Sequence, residues 1–144
     1  MGDLIERVAS AVREAAGEIA VVAYLFGSAI KPHKFKGDLD IALLVEEEAL
    51  REGVIRVQTR IYLKLRRLLG RDDIDVVILN RASPLLKYAA ISEGVLVYEK
   101  DEDRRVEFEV KTMLEHFDLS FLRRVLWEGI IGRVKDGRFA KPDR

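Results

Sequence analysis

The chain has 144 residues, of which 49% are hydrophobic and 35% are charged, and this composition predicts a globular domain rather than a disordered chain. Lys plus Arg and Asp plus Glu number 25 each, so no overall basic field favours direct binding of nucleic acid. Cysteine is absent, which excludes disulfides, thiolate zinc sites and cysteine nucleophiles and fits a protein of the cytoplasm. No apolar run is long enough to cross a membrane, and the N-terminus lacks the apolar segment of a signal peptide, so we expect no membrane contact.

The first 45 residues predict a helix followed by two apolar strands. Residues 3–16 carry apolar side chains three and four positions apart, and Asp3 is the expected N-cap of this helix. Residues 19–26 are continuously apolar, which predicts a strand buried on both faces. A loop at 27–37 contains Gly, Pro and several Lys, and residues 39–45 then predict a second buried strand.

The middle of the chain predicts two further strands and two helices. Residues 48–69 have helical periodicity and end at Gly70, a typical C-cap residue. The apolar stripe of this helix consists of Leu50, Val54, Val57, Ile61, Leu65 and Leu68. Residues 74–79 predict a third strand, residues 84–93 a short helix and residues 95–98 a fourth strand.

The last part of the chain is helical in its spacing from residue 103 to about residue 134, and Asp118 and Ser120 are positions where it could divide into two helices. The element order favours an α+β fold with a small mixed sheet flanked by helices, because two consecutive strands argue against an all-parallel sheet. We assign residues 1–100 to the core and residues 101–144 to a helical extension of the same domain. The apolar content of residues 117–132 predicts that this extension packs on a partner protein or on a second copy of the chain.

Three carboxylates lie within or beside the apolar strands. Asp38 and Asp40 flank Leu39, and strand side chains two positions apart point to the same face. Adjacent carboxylates repel unless a cation lies between them, and ligands made only of oxygen favour magnesium or manganese. Asp75 interrupts the third apolar strand, where an ionised side chain is costly unless it is paired or bound to metal. If the second and third strands are neighbours, the three acids predict a metal centre for phosphoryl transfer.

The dipeptide Gly27-Ser28 follows the first strand. Glycine lets the backbone approach a phosphate closely, and Ser28 can donate both its hydroxyl and its amide N–H. The loop that follows carries lysines that could meet phosphate charge. Neither the Walker-type nor the dinucleotide-binding glycine motif occurs, so these two modes of nucleotide binding are set aside.

These motifs together resemble a known superfamily. Gly27-Ser28 followed by Asp38-Leu39-Asp40 is similar to the signature of the DNA polymerase beta-like nucleotidyltransferases, and Asp75 matches their third metal-binding acid. Residues 74–86, with Glu93-Gly94 and residues 96–99, resemble the minimal nucleotidyltransferases (MNT) that act as antitoxins beside a HEPN ribonuclease toxin. The resemblance extends over about residues 20–120.

The resemblance implies both an activity and roles for individual residues. Such antitoxins use ATP and Mg²⁺ to transfer AMP to a tyrosine of the partner toxin. Asp38, Asp40 and Asp75 would hold the metal and carry the catalysis, while Gly27 and Ser28 would bind the nucleotide. The Ala-Arg-Gly sequence usual after Gly-Ser in this group is absent, and Lys31 and Lys36 are the candidates for its contact with phosphate.

Two alternatives stay open from the sequence. The first is a nucleotidyltransferase of the aminoglycoside-modifying kind, which would need a pocket for a small acceptor. The second is an antitoxin that neutralises its toxin by binding alone, without catalysis. The chain lacks the R-x(4–6)-H-x-Y motif of the toxin, because neither His33 nor His116 is followed two residues later by Tyr.

Overall fold

A computed structural model describes residues 2–26 and 39–135, with only the backbone described at residue 135. The helices are α1 (Gly2–Ala16), α2 (Val54–Leu69), α3 (Pro84–Glu93) and α4 (Glu102–Lys135). The strands are β1 (Ala20–Phe26), β2 (Leu39–Val45), β3 (Ile74–Ile78) and β4 (Val95–Glu99). Two short 3₁₀ helices span Glu47–Glu52 and Leu79–Arg81. The predicted α+β order is confirmed.

The four strands form one mixed sheet in the order β3-β2-β1-β4. β1 pairs antiparallel with both β2 and β4, whereas β2 and β3 are parallel. This order confirms the expectation that the second and third strands are neighbours. Every residue of β1 is buried, as its continuous apolar sequence predicts for a central strand covered on both faces.

Helices cover both faces of the sheet. On one face, α1 and α2 pack their apolar stripes on alternate residues of β1, β2 and β3, with Val8, Val12, Ile61 and Leu65 at the centre. On the other face, the start of α4 packs Phe108, and α3 packs Ala90, against the remaining strand residues, including Tyr24 and Ala42. The two faces of β2 therefore lie in different environments, and this positions the site described below.

Two predicted helix boundaries and one predicted strand boundary were wrong. Gly53 adopts φ +109° and ψ 138°, a conformation that suits only glycine. It separates the 3₁₀ helix Glu47–Glu52 from α2, whereas we had predicted one continuous helix over residues 48–69. The structure places Asp3 in the first turn of α1 rather than at its N-cap. Residue 79 begins a 3₁₀ turn rather than ending β3. Leu68, predicted to be in the stripe of α2, is 36% exposed, and Leu69 takes the buried place before Gly70, the confirmed left-handed C-cap.

The C-terminal helix α4 is continuous through Asp118 and Ser120, so the division considered from the sequence does not occur. Ion pairs hold its first turn to the body: Arg104 bonds Glu46 at 2.7 Å, and Arg105 bonds Glu99. Arg105 also bonds Glu109, one turn further along α4. None of the described helices, α4 included, is long and apolar enough to cross a membrane.

Candidate active site

Two of the three predicted acids lie side by side on neighbouring strands. Asp40 of β2 is the direct register partner of Asp75 of β3, and on its other side Asp40 is opposite Phe26, the last residue of β1. Parallel strands lie about 4.8 Å apart, and residues in register point to the same face. The sheet thus places the two carboxylates on one face, next to the end of β1 from which the Gly27-Ser28 dipeptide continues.

Asp40 is held rigidly because its strand lies inside the sheet. The residues that precede and follow it, Leu39 and Ile41, are fully buried against α1 and α2, so alternation turns Asp40 toward the face of α3 and α4. Asp40 is itself only 8% exposed, and it is the one acidic side chain buried among the described residues. Burying an ionised carboxylate in this position costs free energy unless a positive charge compensates it, as we inferred from the sequence.

Asp75 lies in a different environment from the one we expected. β3 is an edge strand rather than a central one, and the Asp75 side chain is exposed. The neighbouring backbone is covered by α2, since Gln58 Nε2 donates to the carbonyl of Val76 at 2.5 Å. A shallow cavity of about 190 Å³ opens here, lined by Gln58, Thr59, Tyr62, Asp75 and Val76. Asp75 is therefore the member of the pair that an incoming molecule can reach.

The remaining predicted site residues, Gly27, Ser28, Lys31, Lys36 and Asp38, lie outside the described residues. Their expected roles stay predictions. In the described part of the chain, no group of three or more His, Cys, Asp or Glu side chains could hold a metal ion, and Asp38 is the third acid that the prediction needs. The donor set of Asp40 and Asp75 still fits Mg²⁺, because both provide carboxylate oxygens from one face of the sheet.

The sequence analysis missed a polar network beneath α4. The hydroxyl of Tyr24, which is 2% exposed, donates to Glu109 Oε2 at 2.5 Å, and Arg105 Nη1 donates to Glu109 Oε1 at 2.9 Å. Burial, and then the hydrogen bond to Glu109, raise the pKa of the Tyr24 phenol well above its ordinary value. A tyrosine inside an apolar strand was the only available signal. The network fixes α4 to the strand that leads into the site.

A second feature that we had not predicted is a cleft between α4 and the far end of β2. Its volume is about 430 Å³, and it lies on the same face of the sheet as Asp40, since Leu44 lines it. Side chains of both charges surround it, among them Lys87, Lys111, Glu107 and Glu115. Asn80 lines this cleft and connects the end of β2 to the turn after β3. Its side-chain oxygen accepts from the N–H of Val45, and its side-chain nitrogen donates to the carbonyl of Val45, both at 2.8 Å.

With this geometry established, comparison with known proteins identifies the family. The profile of the polymerase beta nucleotidyltransferase family matches residues 13–103, which is more than half of the chain and includes Asp40 and Asp75. The chain belongs to this family. It is therefore a nucleotidyltransferase with the polymerase beta-like fold that the motifs had led us to expect. No curated protein matches the chain significantly.

Solved structures similar to this nucleotidyltransferase include chains from toxin–antitoxin complexes. A chain from the complex of a tri-AMPylated Shewanella oneidensis HEPN toxin with an MNT antitoxin is 26% identical, with 91% of this chain and 99% of that chain covered and a TM-score of 0.61. A chain from a toxin–antitoxin structure with AMP-PNP is 23% identical, covering 88% and 98% at a TM-score of 0.62. A chain from a mutant form of an MntA toxin–antitoxin complex is 25% identical, covering 87% and 96% at a TM-score of 0.60. These neighbours confirm the resemblance to the MNT group.

Proposed function

We propose that this nucleotidyltransferase is an antitoxin that transfers AMP from ATP to a tyrosine hydroxyl of a partner HEPN ribonuclease, with Mg²⁺, in the cytoplasm. The observation that carries the proposal is the pair Asp40 and Asp75, in register on neighbouring strands at the end of β1. The similarity to the complex that contains an AMPylated HEPN toxin supports both the group transferred and the class of acceptor.

The transfer is a single displacement at phosphorus. The tyrosine hydroxyl gives up its proton, for which Asp75 or water is the proposed acceptor, and its oxygen forms a bond to the α-phosphorus of ATP. The bond from that phosphorus to the oxygen bridging to the β-phosphate breaks, and pyrophosphate leaves. Mg²⁺ supplies the positive charge that such a transition state needs. Asp38 and Asp40 would hold the metal from the central strand. Asp75 would complete the ligand set and orient the incoming hydroxyl, for which its exposure on an edge strand is suitable.

The nucleotide would be held by the segment after β1. Gly27 and Ser28 are the proposed contacts of the triphosphate, with Lys31 and Lys36 as candidates for its charge. These residues follow Phe26, the register neighbour of Asp40, so the phosphates would lie beside the carboxylates. Few other groups are needed, because catalysis of this type rests mainly on positioning and charge neutralisation.

The test is transfer of label from α-labelled ATP to the cognate HEPN protein in the presence of Mg²⁺. We expect label on a toxin tyrosine with the wild-type chain, and a loss of at least about 10³-fold with Asp40→Asn or Asp75→Asn, since each removes a charged ligand at the reacting centre. Asp72→Asn is the matched control, because Asp72 is an exposed acid only three residues from Asp75. Absence of transfer from any nucleotide to the toxin would contradict the proposal.

Two further tests distinguish the proposal from the two alternatives. If Asp38→Asn with Asp40→Asn leaves toxin neutralisation in cells unchanged, the chain acts by binding and not by catalysis. If label appears on small hydroxylated acceptors in the absence of any toxin, the acceptor class is wrong while the nucleotidyltransfer chemistry stands.

A further inference from the structure

The second half of α4 carries apolar side chains that the body does not cover. We call residues 119–134 the arm. Eight large apolar side chains of the arm are 42–67% exposed: Leu119, Phe121, Leu122, Val125, Leu126, Trp127, Ile130 and Val134. At about 3.6 residues per turn, they lie on more than one side of the helix. A helix of this kind is normally buried, and an exposed apolar surface of this extent marks a site of interaction with another molecule.

The path of α4 across the sheet determines where the arm lies. Arg105 bonds β4, and Glu109 accepts a hydrogen bond from β1. Further along the helix, Glu115 lines the cleft together with Asn80, which lies in the turn after β3. In the strand order β3-β2-β1-β4, α4 therefore runs from the β4 edge of the sheet toward the β3 edge, and the arm continues in this direction because the helix is unbroken. The arm thus projects toward the edge of the sheet to which Asp75 belongs.

The arm has a net positive charge. It contains three basic residues, Arg123, Arg124 and Arg133, and one acidic residue, Glu128, which gives a net charge of +2. Pairing the arms of two copies would bring like net charges together, and this disfavours a homodimer through the arm. The surface that fits the arm best is an apolar groove with acidic side chains at its rim, since such a groove buries the apolar side chains and pairs the bases.

We propose that the arm binds as a helix in an apolar groove with an acidic rim on the HEPN protein that accepts AMP. This inference rests on the proposed function, because that function supplies the acceptor protein. A helix in a groove makes contacts on more than one side, as the distribution of apolar side chains on the arm requires. Trp127, the most exposed of the eight, is the expected anchor. The arm holds the acceptor beside the β3 edge and leaves Asp75 open to the tyrosine.

The fluorescence of Trp127 tests the docking directly, because Trp127 is the only tryptophan of the chain. We expect the cognate HEPN protein, added to the full chain in EDTA without ATP, to shift the Trp127 emission to shorter wavelength and to protect it from quenching by acrylamide. Trp127→Phe gives the background from tryptophans of the HEPN protein. Unchanged Trp127 emission when the two proteins cosediment, or no complex at all, overturns the proposal.

A matched pair of substitutions tests which part of α4 makes the contact. Leu126→Glu in the arm should weaken the complex by about tenfold or more in isothermal titration calorimetry. Leu114→Glu is the control, because Leu114 has almost the same exposure as Leu126, 58% against 56%, but lies outside the arm. Circular dichroism checks that both variants are folded. An equal loss with Leu114→Glu, or no loss with Leu126→Glu, contradicts docking through the arm.

The charges of the arm give a separate test of the acidic rim. Arg123→Glu with Arg124→Glu should weaken the complex at low ionic strength, and the affinity of this variant should depend less on salt than that of the wild type. Unchanged affinity and salt dependence would contradict an acidic rim on the partner.

Docking and transfer fail in different ways. Leu126→Glu should raise the KM for the HEPN protein by about tenfold and leave kcat within about twofold of the wild type, because the arm holds the acceptor and does not touch the reacting atoms. Docking through the arm without any transfer of label supports this inference and contradicts the proposed function alone. Transfer with an unchanged KM in Leu126→Glu contradicts the docking alone. A wild-type dimer that Leu126→Glu dissociates would assign the arm to a second copy and overturn the proposal.

Discussion

Replacing Asp75 with Asn tests whether the acid pair is adapted to a cation, because the effect on stability should be opposite to that of most substitutions. In-register residues on parallel strands place the two carboxylates roughly 5 Å apart. At this separation the repulsion is about 0.8 kcal/mol when water screens it fully and about 3 kcal/mol at an effective dielectric constant of about 20. Since Asp75 is exposed, the lower end applies, and removing its charge should stabilise the metal-free chain by about 1 kcal/mol.

For a chain of 144 residues, this change corresponds to a rise in Tm of about 3 °C in EDTA at pH 7. With Mg²⁺ at ten times its dissociation constant, the wild-type chain should gain about 1.4 kcal/mol, a further rise in Tm of about 4 °C, and Asp75→Asn should lose most of this gain. Differential scanning fluorimetry across a Mg²⁺ titration measures both effects, with Asp72→Asn as control. An unchanged Mg²⁺ response in Asp75→Asn, or a lower Tm in EDTA, would refute the argument that this pair is a ligand set.

Three further changes test the contacts around the site. Tyr24→Phe should lower the free energy of unfolding by about 1.5 kcal/mol in urea titrations, because it removes a charge-assisted hydrogen bond to Glu109; an equal loss in a Glu109→Gln background would show that the two side chains are not coupled. Asn80→Ala should cost about 2 kcal/mol in the same assay, since two backbone groups of β2 lose their partner, and a loss below about 0.5 kcal/mol would contradict this role. Arg104, and then Lys100, lower the pKa of Glu46 to about 2 from 4.5, against the opposing effect of its burial. The stability that the Arg104–Glu46 ion pair adds is therefore complete above about pH 4.5 and is lost as the pH falls toward about 2. An Arg104→Gln variant whose acid unfolding profile is the same as that of the wild type would refute this contribution.

The strands were predictable because their signal is local. Continuous apolar runs at residues 19–26 and 39–45 can be satisfied only by burial on both faces, and the structure gives β1 and β2 within one residue of these bounds. The short helix before Gly94 was also predictable, because proline is favoured in the first turn of a helix, where Pro84 lies. In the structure Ser83 caps this helix by accepting a hydrogen bond from the N–H of Leu86.

Three features could not be predicted, because they depend on strand order, backbone conformation or contacts between distant residues. Asp75 appeared costly in an apolar strand, but its strand forms an edge, and edge position is not written in the local sequence. The break at Gly53 was hidden because the apolar spacing continues through it, and only the backbone conformation shows that the helix begins at Val54. The hydrogen bond between Tyr24 and Glu109 joins residues 85 positions apart, and no periodicity reports such a contact.

The sheet order supports the proposed macromolecular acceptor. Asp40 lies on a strand with neighbours on both sides and is 8% exposed, so the sheet fixes its backbone, and a fixed backbone favours precise placement of a phosphate. Asp75 lies one strand further out, on an edge where its side chain is exposed. Exposure at an edge suits the proposed acceptor, a hydroxyl presented by a folded partner, better than a small molecule that the chain must enclose.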